Sequence, residues 1–154
     1  MQKTGLALLV GLVATTPAWA QDSAEQIARA YIAAYEAQDF DAMRAFYAPD
    51  ARFIDPTSFE MDDVTPDIDW TGADEILAGI SSWGVASGVY NFDRVYEASG
   101  RVVFDAEMDV VYATPEGEVT YRYPIITILT IEDGQVVEHR DYTGFNEMYR
   151  VEGN

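Results

Sequence analysis

Between Arg101 and Tyr112 the sequence places an apolar side chain at every second position. The positions between them include Asp105, Glu107 and Asp109. Because successive side chains of a β-strand point to opposite faces of a sheet, this alternation predicts one long strand with a buried face and a solvated face. A chain with such a strand must build a sheet around it and cover its apolar side.

Turn signals on both sides of this segment divide the C-terminal half into further strands. Ser99-Gly100 precedes the segment, Thr114-Pro115-Glu116-Gly117 follows it, and Glu132-Asp133-Gly134 comes later. Short connections of this kind predict β-hairpins, so neighbouring strands should run antiparallel. The predicted strands are Tyr90 to Ala98, Arg101 to Tyr112, Glu118 to Ile131 and Gln135 to Phe145.

The N-terminal half predicts helices. Ser23 and Gln26 form the sequence pattern of a capping box, and Ile27, Tyr31 and Tyr35 follow at helical spacing. Helices that precede a β-meander predict an α+β domain with the helices on one face of the sheet. The predicted helices are Ser23 to Gln38, Phe40 to Tyr47 and Ala73 to about Trp83, with a short strand, Ala51 to Ile54, after the second.

The first twenty residues predict a secretory signal peptide rather than part of the domain. Lys3 supplies a positive start, Leu6 to Val13 an apolar run, and Ala18-Trp19-Ala20 a cleavage site. The apolar run is too short to anchor the chain stably in a bilayer. We therefore expect residues 21–154 to form a single exported domain that is periplasmic or secreted, with no membrane contact after cleavage.

Composition excludes several classes of function. The chain has no cysteine, so disulfides, thiol chemistry and Cys-metal sites are absent. After loss of Lys3 the chain keeps 27 acidic residues against eight arginines, because nine basic residues less one leaves eight, and 8 − 27 gives −19. Such a charge repels nucleic acid and anionic membranes, and neither is expected as a partner.

The order of these elements, together with three stretches, resembles a known family. The stretches are "IARAYIAAYEAQDFDAMRAFYAPDARFIDP", "TGADEILAGI" and "GQVVEHRDYTGF". They resemble SnoaL-like and ketosteroid-isomerase-like proteins of the nuclear-transport-factor-2-like superfamily. The resemblance implies an α+β fold in which a curved antiparallel (mixed) sheet wraps around three helices and forms a cone with a central apolar pocket. The superfamily includes isomerases, dehydratases, cyclases, epoxide hydrolases and non-catalytic binders, so the site must decide the function.

The resemblance also implies roles for individual residues. Asp55, in "IDP", matches the general base of ketosteroid isomerases, and Tyr31, in "RAYIAA", matches the tyrosine that donates to the enolate oxygen. Ile126, in "YPIIT", stands where those enzymes carry a second, protonated acid donor. An oxyanion donor is typically worth roughly 3 kcal/mol, so efficient steroid isomerisation is not expected. Chemistry that needs one base and one phenol remains open.

The same correspondence predicts the pocket lining. If Ile126 points inward, so does Arg122, because strand side chains alternate. The apolar face of the preceding strand should line the pocket with them, and on the final strand His139 and Asp141 should take pocket positions. In addition to the candidate catalytic residues, the predicted lining residues are Tyr35, Phe104, Met108, Arg122, Ile126 and Thr143.

Most of the candidate residues also have a structural explanation. Asp55 could simply cap an Asx-turn, and Tyr31 could be a core ring with a bonded hydroxyl. His139 and Asp141 could form an acid–base unit, or His139 could be a structural residue bonded to the backbone or a helix. Arg122 could neutralise a pocket carboxylate or bind an acidic ligand, but a salt bridge at the rim is the favoured interpretation.

The segment from Glu60 to Asp69 is rich in acidic residues. It lacks the ligand spacing of a calcium loop, so a lid over the pocket is preferred to a cation site. On the strand Glu118 to Ile131, the predicted outward row is apolar and should be covered, which predicts a homodimer through the outer sheet face. That row consists of Tyr121, Tyr123, Ile125, Thr127 and Leu129.

Two functional hypotheses follow from the sequence. The first is an exported small-molecule enzyme that performs cofactor-independent acid–base chemistry, such as isomerisation, dehydration or hydrolysis, on an apolar substrate. Asp55, Tyr31, His139 and Asp141 are its candidate catalytic residues. The second is a non-catalytic periplasmic protein that binds a small hydrophobic ligand. No P-loop or HExxH motif is present, so no nucleotide or zinc cofactor is expected.

Overall fold

The computed structural model describes residues 23–61 and 67–152. The predicted signal peptide, residues 1–20, lies outside the described residues, and so does the centre of the predicted lid, residues 62–66. Within the described part, none of the helices has the length and apolar character needed to cross a membrane.

Helices and strands follow the predicted order. The first helix begins after Ser23, whose side chain forms the predicted capping box with Gln26. The α-helices are α1 (Ala24–Glu36), α2 (Phe40–Phe46) and α3 (Ala73–Ser82), and short 3-10 helices span Pro56–Glu60 and Phe145–Glu147. The strands are β1 (Tyr47–Ile54), β2 (Asp69–Thr71), β3 (Ser87–Ala98), β4 (Arg101–Thr114), β5 (Gly117–Glu132), β6 (Gln135–Thr143) and β7 (Tyr149–Arg150).

The described strands form one curved sheet that is mixed rather than purely antiparallel. Its order is β2-β1-β6-β5-β4-β3, and β7 pairs with β5. The hairpins β3–β4, β4–β5 and β5–β6 are antiparallel as predicted, whereas β1 runs parallel to β6. The helices cover the apolar face of this sheet, and the core lies between the two layers. The predicted α+β class is confirmed.

The register between β4 and β5 determines which side chains face the core. Phe104 lies opposite Thr127, and Asp105 lies opposite Ile126. Directly opposite residues in neighbouring strands share a face, so the buried face of β4 fixes the buried face of β5. Phe104 and Thr127 are fully buried, whereas Ile126 is 42% exposed. The prediction that Ile126 points into the pocket is therefore wrong.

Arg122 shares the outer face with Ile126. It lies opposite Asp109 on β4, and its guanidinium donates two hydrogen bonds of 2.6 and 2.7 Å to that carboxylate. The prediction that Arg122 lines the pocket is wrong for the same reason of register. The favoured alternative, a salt bridge at the rim, is confirmed as a salt bridge, but the structure places it on the outer face of the sheet.

The same register removes the basis of the predicted homodimer. Ile125, Thr127 and Leu129 are buried inside the fold and do not form an outer row. The outer face instead presents Ile126 and Tyr142, which lie opposite each other on β5 and β6 and are both partly exposed. Homodimer formation through this face stays a prediction.

Candidate active site

A cavity of about 580 Å³ lies between the helices and the concave face of the sheet. Its wall is predominantly aromatic and aliphatic. On α3, Gly79 allows the Trp70 ring to lie flat against the helix, because a Cβ atom at this position would approach the ring to 2.6 Å. The aromatic lining residues are Tyr35, Phe53, Trp70, Trp83, Tyr112, Tyr123 and Phe145.

Two carboxylic acids interrupt this apolar wall. Asp55 follows the end of β1 and is 2% exposed, and Asp141 lies on β6 and is 3% exposed. Because β1 and β6 are paired neighbours, the two side chains reach the same cavity. The prediction that both residues occupy pocket positions agrees with this placement. Burial of a carboxylate without partners is costly, so each acid needs hydrogen-bond donors or a proton.

Asp55 is both a turn residue and a cavity residue. Its Oδ1 atom accepts hydrogen bonds from the backbone N–H of Thr57, at 3.0 Å, and from the Thr57 hydroxyl. This is the Asx-type cap that the sequence offered as an alternative, and it starts the 3-10 helix Pro56–Glu60. Burial raises the pKa of Asp55, hydrogen bonding by Thr143 and Thr57 partly opposes this, and the nearby Asp141 raises it further.

Asp141 is held by two donors on the same oxygen. His139 Nε2 lies 2.9 Å from Asp141 Oδ1, and Thr127 donates to that atom from 2.5 Å. His139 and Asp141 point to the same face of β6, and the imidazole ring spans the distance along the strand. Among the described residues, nothing donates to Oδ2 of Asp141, and this residue lines the cavity. One oxygen is therefore anchored while the other is available to a bound molecule.

Behind Asp141, a chain of hydrogen bonds runs into the core. His139 Nδ1 lies 2.8 Å from the Tyr31 hydroxyl, which lies 2.5 Å from the Tyr47 hydroxyl. With His139 neutral and protonated on Nε2, Tyr31 donates to Nδ1 and Tyr47 donates to Tyr31. In this arrangement, each hydrogen bond that links Tyr47, Tyr31, His139 and Asp141 has one donor and one acceptor. His139 is bonded to a helix residue, as its structural explanation predicted, and also to Asp141, but it does not line the cavity, so its predicted pocket position is wrong.

Tyr31 does not face the cavity. It is fully buried, and its hydroxyl is engaged by Tyr47 and His139. The Tyr31 hydroxyl is therefore not placed for the predicted direct contact with a substrate oxygen. Tyr35, one helical turn later, does line the cavity, and among the described residues no side-chain hydrogen bond is made by its hydroxyl. Burial raises the pKa of Tyr35 well above its usual value, so this phenol keeps its proton.

The remaining predicted lining residues divide between wall and core. Met108 and Thr143 line the cavity as predicted. Phe104 points inward but lies deeper in the core, next to the Phe92 ring. Tyr123 was predicted in the outer row, and this is wrong, because the hairpin register places it inside, opposite Met108. Trp70 and Trp83 were missed, because no local signal indicates that β2 and the end of α3 meet.

Replacing Asp55 by asparagine is expected to stabilise the protein at neutral pH. Because its pKa is raised in the folded state, the folded chain binds this proton more tightly than the unfolded chain does. Stability is therefore lost as the pH rises from the unfolded pKa through the folded one. The substituted asparagine would keep an oxygen for Thr57 and would not titrate. Urea unfolding measures the free energy of unfolding at pH 4 and pH 7, and the difference between the two values should be smaller for Asp55→Asn than for the unmodified protein. A variant that is less stable than the unmodified protein at pH 7 would contradict this account.

Comparisons with known proteins agree with this fold. The chain has 22% identity to a Shewanella putrefaciens protein provisionally assigned as a SnoaL-like polyketide cyclase, with a TM-score of 0.69 over 80% of this chain and 91% of the other. A ketosteroid isomerase-like protein from Catenulispora acidiphila, solved with trimethylamine, gives 17% identity and a TM-score of 0.63 over 79% and 88% of the chains.

An LEH-like epoxide hydrolase from M. tuberculosis gives 15% identity and a TM-score of 0.62 over 81% and 85% of the chains. No curated protein matches the chain significantly in sequence. The sequence model of the SnoaL-like domain matches residues 28–139, which include most of α1, the strands β1 to β5 and β6 as far as His139. The chain therefore belongs to the SnoaL-like domain family.

Proposed function

We propose that this protein is a small-molecule enzyme that transfers protons without a cofactor. The observation that carries the proposal is the presence of two buried carboxylic acids, Asp55 and Asp141, in the wall of one largely apolar cavity. Burial of such groups costs stability, and buried acids in a cavity of this kind are typical of acid–base sites. The apolar remainder of the wall suits a largely apolar substrate.

In the proposed reaction, Asp55 is the base. It removes a proton from a carbon next to a substrate carbonyl and returns that proton to a second carbon. The raised pKa of Asp55 makes it a stronger base than an exposed aspartate. The Tyr35 hydroxyl replaces Tyr31 as the donor to the oxygen that becomes the enolate, because Tyr35 lines the cavity and Tyr31 does not.

Asp141 is the second acid–base group of the proposal. Its anchored Oδ1 and available Oδ2 give it a fixed orientation toward the substrate. His139 and Tyr31 are positioning residues. His139 contacts Asp141, Tyr31 contacts His139, and neither lines the cavity. This division of roles retains the four candidate residues but assigns direct substrate contact only to the two acids and Tyr35.

Hydrogen–deuterium exchange tests the proposal and does not require the natural substrate. The protein is incubated in D₂O with a panel of apolar ketones, with and without an ammonium group, and exchange next to the carbonyl is followed by NMR. We expect exchange of at least one ketone, and a decrease of about 100-fold in Asp55→Asn, which is the lower end of the usual contribution of a general base.

Asp105→Asn is the matched control, because it removes one charge from the face opposite the cavity. Its exchange rate should equal that of the unmodified protein. A ketone that binds but does not exchange in any variant would contradict the enzyme and would favour the binding protein instead. Equal loss in Asp105→Asn would show that net charge, and not Asp55, explains the effect.

Export of the protein remains part of this proposal. The signal-peptide pattern of residues 1–20 supports a periplasmic or secreted location. Mass spectrometry of the protein isolated from its host should find an N-terminus at Gln21. An intact Met1 would contradict export through this signal.

A further inference from the structure

The wall of the cavity carries acidic groups without a basic one. Among the described lining residues, Asp55 and Asp141 are the charged side chains, and no Lys, Arg or His joins them. His139 lies behind Asp141 and is fully buried. Asp55 has threonine partners and no cationic partner among the described residues. A bound molecule therefore meets a surface with an excess of negative charge.

Three arginines that directly precede a cavity residue in the sequence form ion pairs outside the cavity. Arg52 on β1 pairs with Asp69, Arg122 on β5 pairs with Asp109, and Arg140 on β6 pairs with Glu138. Each of these ion pairs lies on the outer face or edge of the sheet, and none of the three arginines lines the cavity. In the described part of the chain, arginine side chains therefore lie at the surface and not in the wall around the two buried acids.

Aromatic rings form the other main part of this wall. The centroid of Trp70 lies 5.5 Å from that of Phe53 and 5.6 Å from that of Trp83, and Phe53 lies 6.0 Å from Trp83. Ring faces carry partial negative charge and attract cations, with tryptophan the best of the aromatic residues. The aromatic cluster and the two acids therefore favour the same sign of ligand charge.

The polar atoms without a partner are consistent with this preference. The side-chain oxygen of Gln38 is buried and accepts no hydrogen bond from the described residues, and Gln38 belongs to the cavity wall. Oδ2 of Asp141 likewise has no donor among them. Both atoms are acceptors, and the unpartnered Tyr35 hydroxyl can donate or accept, so the unpartnered groups of the described wall include two acceptors and one donor.

We propose that the cavity selects a cationic apolar molecule, an amine in its ammonium form or a quaternary ammonium compound, over neutral and anionic molecules of the same shape. This inference rests on the proposed function, because it names the substrate class of the same site. The charged group would lie against the Phe53, Trp70 and Trp83 cluster within the field of the two acids. The apolar body would occupy the rest of the cavity.

Binding of two isosteric probes tests this preference. Phenyltrimethylammonium and tert-butylbenzene have the same shape and differ in charge, and 4-tert-butylbenzoate supplies the opposite charge. Quenching of tryptophan fluorescence reports occupancy, because Trp70 and Trp83 line the cavity and the chain has only one further tryptophan, Trp19. We expect the cation to bind at least tenfold more tightly than its neutral isostere, and the benzoate to bind most weakly.

Charge-matched variants locate the effect. Asp55→Asn and Asp141→Asn should each reduce the preference for the cation severalfold, and Asp105→Asn should leave it unchanged. Binding of tert-butylbenzene equal to or tighter than that of the cation overturns the inference, as does a cation that does not bind. If either cavity variant fails to fold, the comparison of the probes on the unmodified protein still decides whether the cavity prefers a cation.

The outcome is separate from that of the exchange experiment. Probe binding is measured at equilibrium and needs no turnover, so a preference for the cation without ketone exchange would support the ligand class and reject the enzyme. Exchange of neutral ketones without any preference for the cation would support the enzyme and reject the ligand class.

Discussion

Replacing His139 by alanine is expected to lower the free energy of unfolding by at least about 3–5 kcal/mol, the range for loss of the packing of a large buried ring alone. The imidazole is fully buried and lies with its ring centroid 4.2 Å from that of Phe53. Its removal also takes one hydrogen-bond partner each from Tyr31 and Asp141. Buried polar groups that lose a partner cost about 1–3 kcal/mol each, so the polar loss adds to the packing loss.

Two further variants separate these contributions. His139→Phe keeps a ring of similar size and removes both hydrogen bonds, so it should retain part of the stability. Tyr142→Ala changes a neighbouring, partly exposed position of β6 and should alter the free energy of unfolding by no more than about 1 kcal/mol. Urea unfolding followed by circular dichroism measures all three. A cost below about 1.5 kcal/mol for His139→Ala, half the lower bound for a buried ring, would show that the chain from Tyr47 to Asp141 does not support the fold.

The fold could be predicted from the sequence because its main signals are local. The alternation between Arg101 and Tyr112 describes the buried and exposed faces of β4, and the turn sequences locate the hairpins on both sides. Pairing between distant segments has no such signal. The parallel pairing of β1 with β6, the short β2 and the 3-10 helix Phe145–Glu147 all depend on contacts made only in the folded chain.

The candidate site was predicted in part for the same physical reason. Asp55 was identified because the resemblance places it at the position of a general base, and Asp141 because strand alternation puts it on the same face of the final strand as His139. The predicted orientation of β5 was wrong because a one-residue offset in a strand moves every side chain to the opposite face of the sheet. The correct face follows from two features that the sequence contains, the pattern of β4 and a short hairpin that places Phe104 opposite Thr127.

The prediction of Tyr31 rather than Tyr35 as the donor in the cavity was wrong for a different reason. Both tyrosines lie on the buried face of α1, and helical periodicity cannot distinguish a ring that faces the cavity from one that faces the neighbouring core. The distinction arises because His139 and Tyr47 occupy the space around the Tyr31 hydroxyl. Such tertiary hydrogen bonds involve residues that are 16 and 108 positions away along the chain.

Replacing Phe53 by alanine is also expected to lower the free energy of unfolding by about 3–5 kcal/mol. Phe53 is fully buried, and it is the ring that contacts His139 on one side and the two tryptophans of the cavity on the other. Its loss would therefore loosen both the hydrogen-bonded chain and the aromatic wall. Cooperative unfolding in urea, read by circular dichroism, measures the cost directly.

Phe59→Ala is the matched control for Phe53→Ala, because Phe59 is 45% exposed and its truncation should cost no more than about 1 kcal/mol. The two variants lose the same atoms, so the difference between them reports burial. Phe53→Ala should also weaken binding of phenyltrimethylammonium, since the cluster with Trp70 and Trp83 loses a member, whereas Phe59→Ala should not. Equal destabilisation by both variants would contradict the position of Phe53 at the centre of the site, and unchanged probe binding in Phe53→Ala would remove the aromatic cluster from the proposed cation contact.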